Sequence, residues 1–112
     1  MTWAHCTTIL LIGVLAAGAA EAAPAAPDGA AVFKARCAKC HGASGMADTS
    51  NARALKVRPL VNDTTLALMA PADIAKAIKS DPKHRGMAAV TNLDEKELGA
   101  VAVFVKELAR KH

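Results

Sequence analysis

The chain has 112 residues and a formal charge of +4, and 3 Cys, 1 Trp, 2 Phe and no Tyr supply all of its thiols and aromatic rings. This length supports one small domain and excludes a multidomain enzyme. The composition excludes an all-β sandwich or barrel, and at 53% hydrophobic and 21% charged residues it excludes a disordered chain. Much of the hydrophobic share is alanine, so the supply of large core side chains is thin. A chain of this size makes up such a deficit with a metal, a cofactor or disulfides.

Residues 1–22 have the features of a secretory signal. Met1 to His5 is a short polar start, Thr7 to Ala20 is apolar, and Ala20-Glu21-Ala22 gives the small-x-small pattern that a signal peptidase reads before Ala23. No Lys or Arg precedes the apolar run, so the amino terminus and His5 carry its positive charge. The uninterrupted run of about 12 residues is short of the roughly 20 that cross a bilayer, so no stable membrane insertion is expected after cleavage. Cys6 lies before the run and leaves with the signal, and export places the mature chain in the periplasm. Residues 23–27 continue as a Pro/Ala linker too stiff for a helix interior. The folded domain spans residues 28–112 and retains only Cys37 and Cys40.

All 14 Lys and Arg lie after position 22, and only Glu21 of the acidic residues precedes it, so the mature chain carries +5. Its bases are scattered and no Tyr or Trp remains to stack on bases, which argues against nucleic acid and for acidic protein surfaces as partners.

Asp28 is placed to cap a first helix running to about Cys40, with Val32, Phe33 and Cys37 at helical spacings. A second helix is signalled by Pro71 and Asp73 in its first turn and by Ile74 and Ile78 four apart, and Ser80-Asp81-Pro82 stops it. The last helix opens with a capping box of Asp94 and Glu97. Leu98, Val101, Val105 and Leu108 then form one apolar stripe, bordered by Phe104. Gly42 to Asn62 and Lys83 to Asn92 have loop composition, and no segment alternates as a strand would. The fold class is all-α.

Cys37-Ala38-Lys39-Cys40-His41 is the motif that carries chemistry. Cysteines three apart share a helix face, so their sulfurs can add to two vinyl groups on one edge of a haem while His41 brings an imidazole under the iron. A thioredoxin-like pair would need a preceding strand, and a zinc site drawing on His84 or His112 would lack the paired spacing of zinc modules. A plain disulfide would leave His41 without a role.

Met46, Met69, Met87 and His84 are the candidates for the iron's opposite face. Met46 follows His41 too closely to round the haem edge, and Met69, among Leu66, Leu68 and Ala70, reads as a packing residue. Met87 lies in the loop Lys83-His84-Arg85-Gly86-Met87, where Gly86 lets the backbone approach the ring. Met87 is the expected ligand. A soft thioether favours reduced iron and raises the potential, whereas His84, the rival, would lower it.

Taken in order, Gly29 and Phe33 before the Cys37-x-x-Cys40-His41 motif, Gly42 to Gly45 after it, Gly86-Met87, and Leu93 to Leu98 through Phe104 to Leu108 resemble a small soluble class I c-type cytochrome over residues 29 to 110. The resemblance implies a cytochrome c-like fold of three main helices with loops wrapped around one covalently bound haem c. It implies that the first and last helices cross beside the haem, with Gly29 allowing close approach and Phe33 and Phe104 packing near the crossing. It also implies a non-enzymatic one-electron carrier between a redox protein donor and acceptor.

Two departures accompany the resemblance. Ala88 stands where the family usually has proline after the methionine, which keeps open a small-ligand binder or sensor with a displaceable Met87. Pro59, the candidate acceptor for the proximal imidazole's hydrogen bond, comes 18 residues after His41. A cytochrome subunit of a larger oxidoreductase is a further alternative. Lys34, Lys39, Lys76, Lys79, Lys83 and Arg85 flank the haem-contacting segments and are expected to steer acidic partners. The sequence leaves the oligomeric state open.

Overall fold

The structure, a computed structural model, describes Gly13 and residues 27–80, 86–87 and 92–112. The expected signal, Gly13 apart, and the linker up to residue 26 lie outside the described residues. Among the described residues no strand occurs, and the elements are α1 (Gly29–Arg36), α2 (Ala38–His41), α3 (Ser50–Leu55), α4 (Thr64–Leu68), α5 (Pro71–Ser80) and α6 (Glu95–Ala109).

Asp28 caps α1 by accepting from the Ala30 amide. The expected first helix is interrupted at Cys37, whose φ of −118° departs from helical values, although its amide still donates to the Phe33 carbonyl at 2.8 Å. The chain then re-enters the helix as α2, because the His41 amide reaches the Cys37 carbonyl at 2.9 Å. The helices α3 and α4 lie where loop and packing residues were expected. Their starts are local: Thr49 accepts from the Ala52 amide and Asp63 from the Leu66 amide, each satisfying a first-turn donor. Both helices are too short to show an apolar stripe.

The helix α5 begins at Pro71, carries Asp73 in its first turn and ends at Ser80, as expected. Asp94 caps α6 by accepting from the Glu97 amide at 2.8 Å, and this hydrogen bond is the main reason its carboxyl titrates below the usual range. The side chains of Leu98, Val101, Val105 and Leu108 are buried as expected, together with Ala102 and Ala109.

The core forms where α6 meets α1, α4 and α5. Phe33, Ile74, Leu98, Val101, Ala102, Val105 and Leu108 make one cluster, with Phe104, Met69 and Ile78 packed against its edge. Its largest fully buried side chains are Phe33, Ile74 and Val101, each worth about 1.5–3 kcal/mol of burial. Gly29 permits the α1–α6 crossing. A Cβ there would stand 2.8 Å from the carbonyl carbon of Ala100 and 3.1 Å from Cβ of Phe104. The Phe33 and Phe104 rings meet at this crossing, with centroids 5.2 Å apart and planes inclined by 55°.

Gly86 and Met87 have helical backbone rather than the expected loop; Gly86 is exposed, and a Cβ on it would meet no protein atom within 4 Å. Leu68 is 86% exposed, whereas Met69, the expected packing residue, is half-buried against the core. Lys106 secures that junction by donating from Nζ to the Met69 carbonyl at 2.6 Å.

Candidate functional site

The interrupted α1–α2 run presents Cys37, Cys40 and His41 from one short stretch of backbone. The two cysteines are half-buried free thiols. Burial pushes the Cys37 thiol up to about 11, with Cys40 adding to the shift and the neighbouring Arg36 charge opposing it. A thiol held neutral in this way is a poor attacking thiolate.

The backbone turns sharply after His41. Gly42 adopts φ +80° and ψ 150°, a region essentially restricted to glycine, and a Cβ there would also run into the Asp48 carboxylate. The turn lets the Ala47 amide fold back onto the His41 carbonyl at 2.8 Å, and the Leu60 amide onto the Gly45 carbonyl at 2.7 Å. Phe33 lies beside the imidazole, with ring centroids 6.4 Å apart and planes inclined by 42°. Nδ1 of His41 is buried, and Nε2 is the nitrogen turned toward the second sulfur-bearing segment.

Met87, 46 residues further along the chain, places its Sδ 3.4 Å from Nε2 of His41. Of the four candidates for the position opposite the imidazole, Met46 is 49% exposed and Met69 is engaged in the core. His84 lies outside the described residues, as do Ala88, Lys83 and Arg85. Pro59 is exposed. His112 is 3.3 Å from the Asn62 side chain, and among the described residues no group of three His, Cys, Asp or Glu side chains is arranged to hold a metal ion.

These residues suit a haem by the chemistry of their donors. Two unpaired thiols three residues apart can form thioether links, and an imidazole and a thioether that approach each other from distant parts of the chain are a ligand pair suited to iron. Cys37, Cys40, His41 and Met87 would hold it. Lys34, Lys39, Lys76 and Lys79 are exposed, and Lys79 donates to Glu95 at 2.8 Å in a solvent-facing pair. That bond raises the Lys79 pKa.

The sequence missed three features of the surroundings: α3, α4 and the Lys106 contact. The capping residues Thr49 and Asp63 were the available signals for the two helices, while nothing local pairs Lys106 with the Met69 carbonyl. No helix among the described residues is long and apolar enough to cross a membrane. Residues 24–105 match the family described as cytochrome C oxidase, cbb3-type, subunit III. No curated protein and no solved structure matches the chain.

Proposed function

The chain belongs to the cbb3-type cytochrome c oxidase subunit III family of c-type cytochrome domains, with its all-α fold, and on that premise we propose that it is an exported one-electron carrier whose iron His41 and Met87 would ligate. The approach of the Met87 sulfur to the His41 imidazole carries this reading. Bound here, haem c would supply reversible one-electron redox chemistry.

The chain's own residues do the rest. Cys37, at the cap of α2, and Cys40, within it, would tether the group so that it is not lost on dilution. His41 would give Nε2 to the metal, with Nδ1 buried on the other side of the ring. Met87 supplies a soft sulfur that favours the reduced state. Phe33 lies beside the imidazole, and no side chain need act as an acid or base.

A redox-titrated visible spectrum of the exported protein tests the ligand assignment. We expect a ferric sulfur-to-iron charge-transfer band near the red end, lost in Met87→Ala together with a fall in potential of more than about 60 mV, a tenfold shift in the one-electron equilibrium. A wild-type protein without that band, or one that takes up carbon monoxide readily, would favour the small-ligand reading.

Exposed lysines on α1, α2 and α5 support partners with acidic docking surfaces. Electron transfer to an acidic redox protein should slow roughly tenfold as ionic strength rises from about 0.01 to about 1 M. A rate independent of salt would remove the steering role. The description of the matched family as an oxidase subunit favours a second reading, in which the same domain passes electrons within a larger complex. Co-purification of a membrane oxidase with the tagged chain from its own host would distinguish the two.

A further inference from the structure

The helix α2 ends with four carbonyls that have no partner inside so short a helix, and each finds a donor. Gly42 N reaches Ala38 O at 2.8 Å and Ala47 N reaches His41 O at 2.8 Å. The two between them are taken by side chains from the start of α3: Thr49 Oγ1 donates to Cys40 O at 3.2 Å, and Asn51 Nδ2 donates to Lys39 O at 3.4 Å. A helix end satisfied in this way cannot fray or rotate without breaking bonds.

Thr49 differs from Asn51 in that both directions of its hydroxyl are used. The oxygen accepts the Ala52 amide at 3.0 Å while the proton goes to Cys40 O. The hydroxyl rotor is therefore fixed between two helices, at the residue that separates Cys37 and Lys39 from His41. Thr49 is half-buried, so water competes weakly for either bond. Capping α3 alone would need only the bond to Ala52; the bond to Cys40 joins that cap to the Cys37–His41 motif.

Building on the haem reading above, we infer that Thr49 is a positioning residue for the proximal ligand: its hydroxyl locks the end of α2 to the start of α3 and so sets the rotation of the His41 ring relative to Cys37 and Cys40. The imidazole's opposite constraint is the Phe33 ring. With the hydroxyl gone, the Cys40–His41 peptide can tilt and the ring turns with it. The ferrous–ferric balance responds because hydrogen bonding around an axial ligand tunes haem potential.

The test compares wild-type holoprotein with Thr49→Val, which keeps the shape but loses the hydroxyl, and Thr49→Ser, which keeps the hydroxyl. The readout is the proton NMR spectrum of the ferric state, in which the spread of the haem-methyl shifts reports the orientation of the imidazole plane, followed by the reduction potential. We expect Thr49→Val to change both and Thr49→Ser to restore both toward wild type. A purely structural threonine would lower the melting temperature and leave the methyl pattern unchanged, and that result overturns the inference. If Thr49→Val does not accumulate as holoprotein, Asn51→Ala loosens the same helix end more mildly and should move the methyl pattern by a smaller amount; an unchanged pattern there also overturns it. A wild-type protein without covalent haem would overturn the electron-carrier reading itself, an outcome distinct from an unchanged Thr49→Val spectrum in a loaded protein.

Discussion

Changing both cysteines, Cys37→Ser with Cys40→Ser, should convert a pigment that survives acid-acetone extraction into one that is stripped completely, and should cost the polypeptide its cooperative fold once the pigment is gone. The first half follows from the chemistry of two thioether links, and each single substitution should retain one link and the colour. The second half follows from the core. Among the described residues the buried apolar ones are Phe33, Ala52, Ile74, Leu98, Val101, Ala102, Val105, Leu108 and Ala109, three of them alanines. The helices α2, α3 and α4 have only four to six residues each, far below the length at which an isolated helix is stable. A group held only by His41 and Met87 stabilises by mass action, about 2.7 kcal/mol at a hundredfold excess over its dissociation constant, and that contribution disappears on dilution. Covalent attachment keeps the local concentration permanent. Far-UV circular dichroism and thermal melts of the double variant, with and without added haemin, check the prediction. A colourless double variant that melts cooperatively at the wild-type temperature would show that the side chains alone suffice.

The thin supply of large side chains was legible from composition before any helix was placed. So were the cap of α1 at Asp28, the span of α5 from Pro71, and the stripe of α6, because each rests on a signal within one turn or on a repeat of three and four residues. Met87 was singled out by elimination along the chain, and its Sδ lies 3.4 Å from Nε2 of His41. What escaped the sequence has a common cause. The helices α3 and α4 are too short to develop periodicity, so only their caps announce them. The Lys106 bond to Met69 O joins residues 37 apart and has no local signature. A Cβ on Gly86 would meet no protein atom within 4 Å, whereas at Gly29, where the resemblance implied a close approach of two helices, the neighbouring helix does fill the space.

That contrast yields a prediction of comparable size on stability. Gly29→Ala should lower the melting temperature by roughly 10–20 °C, and Gly29→Val by at least as much. The obstructing atom is the Cβ itself, which both variants share, and it meets the Ala100 carbonyl of α6 rather than a side chain that could swing aside. Accommodating it requires α1 and α6 to move apart. Val101 and Ala102, both fully buried, then lose their packing, and the Phe33–Phe104 ring contact opens. Overpacking of this kind costs about 1–3 kcal/mol, toward the upper end where backbone is struck, and each kcal/mol is worth about 4–8 °C in a domain of this size. Gly99 is the internal control. It lies within α6, a Cβ on it would meet nothing within 4 Å, and replacing a helical glycine by alanine gains roughly 0.5–1 kcal/mol, so Gly99→Ala should raise the midpoint by a few degrees. Opposite signs at the two positions, in the same holoprotein and by the same calorimetric scan, are the expected result. A Gly29→Ala variant as stable as wild type would mean that the two helices do not cross as closely as the Ala100 contact requires.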